Sequence, residues 1–400
     1  MKRWLSVAVF VVLCLALVIG IACGGGEDGD GDGGVKEVKF GAGLPIGGFL
    51  GTIIGQPAMR GGELARDTID TFEVAGQQYR WKDITEENSW TAAGGVASAT
   101  KLIYQDGVKI MHQSGADAAR AAQRLCEEAG VLLDGSAGIG FLSPEYPHSI
   151  YMAPSYEMPF PVLFRWLTQA HPEIETVAII RGDDLTGHGE ADAAEKAAEY
   201  YGFDVVAKEF VPSGTTEFFP VATKVVDKDP DFVVGNVLYV VPMQEMGWDG
   251  VWGDSMWGTA SAEYAGWDNV QGQLIWLNMP FGDELPQALK DFVAEYEERY
   301  DEECGGPQLW SLIINEVWTD ILIKSGTVDD VDQMLATIEA GTYFDTSLGP
   351  LRFMGKELTG IDHLLVWPVW ILEIQGQEPQ IVKWVDAEEV YDLAVEILKD

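Results

Sequence analysis

The sequence predicts an α/β protein made of two doubly wound units, and three observations carry that prediction. The chain of 400 residues is longer than one hydrophobic core usually serves. Strand-like and helix-like stretches alternate along most of it, as they do where a parallel sheet has helices on both faces. Small and polar residues collect just after the strand-like stretches, where open parallel sheets hold ligands.

Residues 35–44 read as a strand running into a Gly/Pro loop, and residues 56–72 have helical spacing. In that helix Ala58, Leu64, Ala65, Thr68 and Ile69 fall near one face, with Arg60, Glu63, Arg66 and Asp67 on the other. Strands follow at 79–84, 109–112 and 131–133, separated by helices at 91–105 and 117–129. A second series begins near Pro159: helix 160–170, strand 176–180, helix 189–201, strand 204–210, helix 219–227 and strand 232–236. Helices are then expected at 284–300, 309–324 and 328–340, a Trp-rich strand pattern at 364–374, and a last helix at 387–399 with Val390, Leu393, Ala394 and Ile397 on its apolar face. No internal repeat of short period is present.

The first residues have the layout of a secretory signal: Lys2 and Arg3, an apolar run from Trp4 to Ala22, and then Cys23. Gly20, Ile21 and Ala22 before Cys23 resemble a bacterial lipobox, with Gly20 where leucine is usual, so residues 1–23 are expected to be a lipoprotein signal and Cys23 its lipidated residue. The alternative is an uncleaved membrane anchor, since a run of this length can just span a bilayer. That reading requires no cysteine at the apolar boundary, whereas Cys23 stands there followed by Gly24, Gly25 and Gly26. Residues 24–34 mix glycine with acid and read as an extended tether. Both readings leave the body of the protein outside the membrane.

With 64 acidic against 25 basic residues the formal charge is −39, the wrong sign for nucleic acid or an anionic lipid surface as a partner. Cys126 and Cys304 are the cysteines of the body, and an oxidising compartment would permit one disulfide between them. The five histidines are scattered and no zinc-type spacing occurs. A Gly-x-Ser-x-Gly elbow and a Walker-type loop are both absent, and Gly135-Ser136-Ala137-Gly138 lacks the lysine that phosphate chemistry wants. Asp183, Asp184 and His188 can be cast as an acid/base cluster, but a helix N-cap after a strand explains them more simply. No catalytic residue, metal or cofactor is therefore expected, and the chain does not read as an enzyme.

The loops after predicted strands, at 45–48, 112–117, 135–139 and 185–188, offer backbone N–H groups to the acceptor atoms of a ligand. Aromatic residues, among them Trp90, Phe141, Tyr239, Trp257, Tyr264 and Trp310, crowd the same regions and offer apolar contact area.

Four stretches carry a family resemblance: Gly55 through Ala65 with the order Gly-Gln-Pro-Ala-Met-Arg-Gly-Gly-Glu-Leu-Ala, Leu102-Ile103 with Gly107-Val108, Glu127-Glu128-Ala129-Gly130-Val131, and Thr216-Glu217-Phe218-Phe219-Pro220 with Lys224. In this order they resemble the type I periplasmic binding proteins of branched-chain amino acid ABC transporters and their amide- and urea-binding relatives, over nearly all of residues 35–383. The resemblance implies two Rossmann-like lobes joined by a three-crossing hinge, lobe 1 at 35–155 and 279–362 and lobe 2 at 156–278 and 363–400. It implies capture of a small organic solute by lobe closure and delivery to a membrane permease, by a monomer and without a cofactor.

The resemblance also implies ligand contacts. Ser114, Ala116 and Asp117 fall in the loop that offers a serine to an amino acid carboxylate. Asp117 would repel such a group unless a water, a proton or a cation intervened; the alternative reading is that Asp117 caps the following helix. Ser136, Ala137 and Ile139 fall in the second backbone-contact loop, with Ile139 where a hydroxyl residue is usual. His188 stands for the tyrosine at the mouth of lobe 2. The acidic partner of a ligand ammonium has no clear counterpart near Trp257, which leaves Glu263, and Tyr239 joins these as a candidate. Amino acids, amides, urea-like compounds and aromatic acids are the expected ligands. A sensory module with the same closure is an alternative, and an extracytoplasmic hydrolase using Asp183, Asp184 and His188 a more distant one.

Overall fold

The computed structural model describes residues 34–399 apart from 213, 256–258 and 281. The expected signal, the Cys23 lipidation site and Trp257 lie outside the described residues. The first sheet has the order β2-β3-β1-β4-β5-β6. Its strands are β1 (Lys36–Leu44), β2 (Phe72–Val74), β3 (Gln77–Glu87), β4 (Ile110–Gln113), β5 (Leu132–Gly135) and β6 (Ser149–Ile150). All neighbours are parallel except β2 and β3, a hairpin whose turn puts Ala75 and Gly76 at positive φ. Three helices connect the parallel strands: α1 (Gln56–Ile69), α2 (Ala92–Lys101) and α3 (Ala116–Ala129).

The second sheet has the order β16-β15-β11-β10-β9-β7-β8. It contains β7 (Thr176–Gly182), β8 (Asp204–Val211), β9 (Phe232–Val234), β10 (Val251–Asp254), β11 (Leu274–Leu277), β15 (Val369–Gln375) and β16 (Glu378–Val385). The last two run antiparallel at one edge. Its helices include α4 (Pro159–Ala170), α5 (Leu185–Tyr200), α6 (Phe219–Val226), α7 (Val237–Glu245), α8 (Thr259–Ala265) and the C-terminal α12 (Ala387–Leu398). Between β11 and β15 the chain returns to the first lobe as α9 (Gln287–Tyr300), α10 (Gly306–Ser325), α11 (Val331–Glu339) and a small antiparallel sheet, β12 (Tyr343–Phe344), β13 (Leu351–Met354) and β14 (Leu364–Val366). These pack in one apolar cluster with Val38, Phe40, Leu64 and Ile110. The result is an α/β fold with mixed sheets in two lobes.

The chain thus passes between the lobes three times: after β6, after β11 and after β14. The first and third passages run side by side. Tyr151 N–H donates to His363 O at 2.9 Å, Leu365 N–H donates to Tyr151 O at 2.8 Å, and the Trp367 indole donates to Met152 O at 2.9 Å.

Several elements differ from expectation, each for a physical reason. The pattern at 364–374 is two strands in different sheets, because Pro368 has no N–H to continue a ladder and Trp367 turns into the core. The helix expected from 189 begins at Leu185, where the Asp184 side chain accepts the Gly187 N–H at 2.8 Å. The expected 91–105 helix ends in a wider π turn, Leu102–Asp106, closed by Gly107 at φ +71°. Arg66, placed on the polar face of α1, is instead packed inward over the Phe40 ring and paired with Asp83, so its charge is neutralised where its position is buried. Cys126 is buried next to Met111 while Cys304 packs in the other cluster, and both are free thiols, so the disulfide that the compartment would allow is not formed.

Candidate functional site

The strand-end loops of the first lobe form a satisfied polar network. Asn88, fully buried, donates from Nδ2 to Gly43 O at 2.9 Å, Gln113 Oε1 at 3.1 Å and Ser114 O at 2.7 Å. Glu87 accepts the Ile46 and Gly47 N–H groups at 2.9 Å and the Ser89 N–H at 2.6 Å, and these bonds hold its carboxyl below the usual range against the opposing effect of burial. Ser114 N–H donates to Gly43 O and Ser136 N–H to Gln113 O. Ser89 and Trp90 both sit in the left-handed region, at φ +51° and +58°, which lays the Trp90 ring against Gly115. Gly115 is itself at φ +93°, and a Cβ there would stand 2.8 Å from the ring.

Glu157, in the first passage between the lobes, joins the two sides. Its Oε1 accepts the Ile139 N–H at 3.0 Å, from the loop after β5, and its Oε2 accepts the Ser155 hydroxyl at 2.7 Å. Gly189 in α5 lies so near that a Cβ there would be 3.2 Å from the same Oε1. Helices α3 and α5, one from each lobe, touch beside this point.

Behind Glu157 lies a buried ionic cluster. Arg181 projects from the end of β7, on the face that also holds Val177 and Ile179, and is 6% exposed. Its Nε lies 2.8 Å from Glu190 Oε2 without the alignment of a hydrogen bond, and its Nη1 donates to Asp254 Oδ1 at 3.3 Å. Its Nη2 has no partner among the described residues. Sheet order explains the meeting: β9 lies between β7 and β10, with Ile179, Val234 and Gly253 in register, so both strand ends emerge at one edge. Burial raises Glu190 to about 8, with Asp254, Glu157 and Asp184 adding to the shift and Arg181 opposing it. Burial raises Asp254 as well, again against Arg181, and raises the Tyr156 phenol beside them. Phe160 and Trp276 flank the guanidinium, with ring centres 5.9 and 6.0 Å from Cζ, and the buried Trp276 indole N–H has no partner among the described residues.

The residues singled out from sequence distribute as follows. Ser114, Ala116 and Ala137 are buried, Ser136 and Ile139 half-buried, and all belong to the strand-end loops of the first lobe. Asp117 is exposed in the first turn of α3, where the cap position is Gly115 rather than Asp117. His188 is exposed, stacked on Phe210 at 3.9 Å and bonded to Asp183 Oδ1 at 2.9 Å. Tyr239 is buried against Phe218. Glu263 is on the exposed side of α8, and Phe141 is core. Sequence reasoning missed Glu157, Arg181, Glu190 and Asp254. The available signal was a charged residue closing a mainly apolar strand, as Asp254 does in β10 and Arg181 does one residue before the end of β7.

A cavity of about 290 Å³ also lies inside the first lobe, between α1, α10 and the sheet, lined by Phe40, Met59, Arg66, Asp83 and Asn315. It is a gap within one lobe and does not reach the second sheet. Among the described residues no group of acids, histidines and cysteines is arranged to hold a metal ion, and no helix is long and apolar enough to cross a membrane.

Two α/β lobes, three passages between them and polar strand ends gathered at the junction define a two-lobed binding protein of the type that closes on its ligand. The chain belongs to the periplasmic binding protein family, whose model matches residues 37–378. Solved structures share the fold at low identity. A periplasmic binding protein from Burkholderia mallei is 12% identical with a TM-score of 0.76, over 89% of this chain and 96% of that one. The solute-binding protein of an ABC transporter from Rhodopseudomonas palustris, in complex with 3,4-dihydroxybenzoic acid, is 19% identical with a TM-score of 0.72, over 88% and 98%. The branched-chain amino acid transporter substrate-binding protein from Streptococcus pneumoniae, in complex with isoleucine, is 18% identical with a TM-score of 0.71, over 88% and 100%. No curated sequence matches the chain.

Proposed function

We propose that this chain is the extracytoplasmic substrate-binding component of an ABC importer, capturing a small organic solute between its lobes and presenting it to a membrane permease without chemical change. The observation that carries this reading is the junction at Glu157, where loop ends of both lobes converge on buried polar groups within a binding-protein fold. Solutes bound by similar proteins include isoleucine and a dihydroxybenzoic acid, so amino acids and aromatic acids belong in the test panel beside amides and urea. Ser114, Ala116, Asp117, Ser136, Ala137 and Ile139 on one lobe and His188 on the other are the candidate contacts that the family resemblance suggests, with Glu263 a distant substitute for its acidic residue, and Tyr239 and Trp257 are candidates as aromatic residues of the same regions. Acylation of Cys23 with the acidic tether would hold a monomeric receptor near its permease.

The test is a thermal-shift panel followed by small-angle scattering with and without the best compound. A ligand of the closed form raises the unfolding midpoint by mass action, by about 2.7 kcal/mol of stability at a hundred times its Kd. It should also reduce the radius of gyration. A panel without any shift, together with an unchanged radius, would sink the proposal. Loss of fatty-acid labelling in Cys23→Ser, with export retained, tests the anchor.

A further inference from the structure

We infer that Arg181, with Glu157, Glu190 and Asp254, forms the seat for an uncharged carbonyl-and-amine group, a carboxamide or a urea, on the captured solute. The inference rests on the solute-binding reading above and specifies what the site selects.

Two independent features lead to it. The first is an unmet donor. Arg181 is almost wholly buried, its Nη1 donates to Asp254, its Nε faces Glu190 without the alignment of a hydrogen bond, and Nη2 is left without an acceptor. Beside it the Trp276 indole N–H is equally unsatisfied. A buried donor without a partner costs about 1–3 kcal/mol, so an acceptor atom supplied here by a ligand would be strongly favoured.

The second is the charge around that donor. Two carboxyl groups, Glu190 and Asp254, share one guanidinium, and Glu157 and Asp184 add their negative influence on Glu190. A ligand carboxylate would bring a further negative charge into this buried surplus. The Ile139 amide, which a ligand carboxylate would otherwise use, already donates to Glu157. An ammonium group would suit the acids but leave Nη2 unmet. A neutral carboxamide answers both, with its carbonyl oxygen accepting from Nη2 and its N–H groups donating to the free lone pairs of the carboxylates. The raised Glu190 is consistent with a site that keeps its charge low until a ligand arrives.

The experiment is calorimetric titration of the purified protein with matched series that differ only in the head group: isobutyramide, isobutyrate and isobutylamine; benzamide, benzoate and benzylamine; and urea. The expected result is that an amide or urea binds at least about a hundredfold tighter than the acid or amine of the same body, since sites built to bond a polar group reject analogues that lack it. Arg181→Lys keeps the charge but not the fork, and should abolish amide binding. Should that variant fail to fold, Glu157→Gln removes one negative charge and should narrow the preference of amide over acid by about tenfold or more.

Tighter binding of the acid or the amine overturns the inference, as does undiminished amide binding by folded Arg181→Lys. Binding of isoleucine or another solute while every amide and urea fails would also overturn it, yet leave the solute-binding reading standing. Only the absence of any ligand and of any closure would count against that reading itself.

Discussion

Glu157 Oε1 lies 3.0 Å from the amide nitrogen of Ile139, so a side chain of the passage between the lobes holds a loop of the first lobe. The bond matters because the 136–139 loop is where an incoming acceptor was expected to dock. The protein has filled that position with its own carboxylate. Glu157→Ala would leave the Ile139 N–H and the Ser155 hydroxyl without their acceptor, and the expected loss is about 1–3 kcal/mol. Glu157→Gln, which can still accept, should lose less. Urea unfolding midpoints at constant slope measure both.

Arg181 is the only cation paired with Glu190 and Asp254 among the described ion pairs. Removing one partner of a buried pair leaves charge without compensation, so Arg181→Leu should destabilise by about 3–5 kcal/mol. The triple replacement of Arg181, Glu190 and Asp254 by apolar residues of similar volume should recover much of that loss. Denaturant titration of the two variants separates a stabilising role from a specificity role.

The contrast between what could and could not be read from the sequence follows from the same cluster. Strands such as β1 and helices such as α1 announce themselves by periods of two and 3.6 residues, and the β-α alternation fixes a parallel sheet. Arg181 and Asp254 are 73 residues apart, and they meet only because β9 is inserted between β7 and β10. Strand order is a long-range property that no local pattern encodes. The short strands β10 and β11 were hidden for a related reason: their few residues are buried or nearly so on both faces and carry no alternation.

Gly115 and Trp90 make a second site-wall test. Gly115 needs φ +93°, and an added Cβ would meet the Trp90 ring at 2.8 Å. Gly115→Ala should therefore both strain the backbone and displace the indole, costing about 1–3 kcal/mol. The displaced Trp90 should appear as a change in tryptophan fluorescence or near-ultraviolet dichroism. An unchanged spectrum with unchanged stability would show that the loop does not depend on this contact.

The two body thiols, Cys126 in the core and Cys304 half-buried against the other cluster, should both be unreactive in the folded protein. Burial raises both Cys126 and Cys304 to about 12, so little thiolate is present at neutral pH. Alkylation of the native protein is expected to be slow at both and fast after unfolding, and a reducing agent should leave the unfolding midpoint where it was. A midpoint that falls on reduction would mean that a disulfide had contributed.

Glu190 gives the protein a pH dependence of definite sign. Its carboxyl titrates near 8 when folded, against an ordinary value of 4.5, so between these values the folded protein holds a proton that the unfolded chain has lost. Stability from this group is then complete below about pH 4.5 and declines as pH rises toward 8. The slope for one proton is at most about 1.4 kcal/mol per pH unit, and groups such as Glu87, whose carboxyl is lowered, act in the opposite direction only at more acid pH. Urea midpoints from pH 5 to 8 should therefore fall in the wild type and fall less in Glu190→Gln, which mimics the protonated acid. Parallel curves for the two proteins would mean that Arg181 keeps Glu190 ionised in the folded state, and the cluster would then carry one more negative charge than its burial suggests.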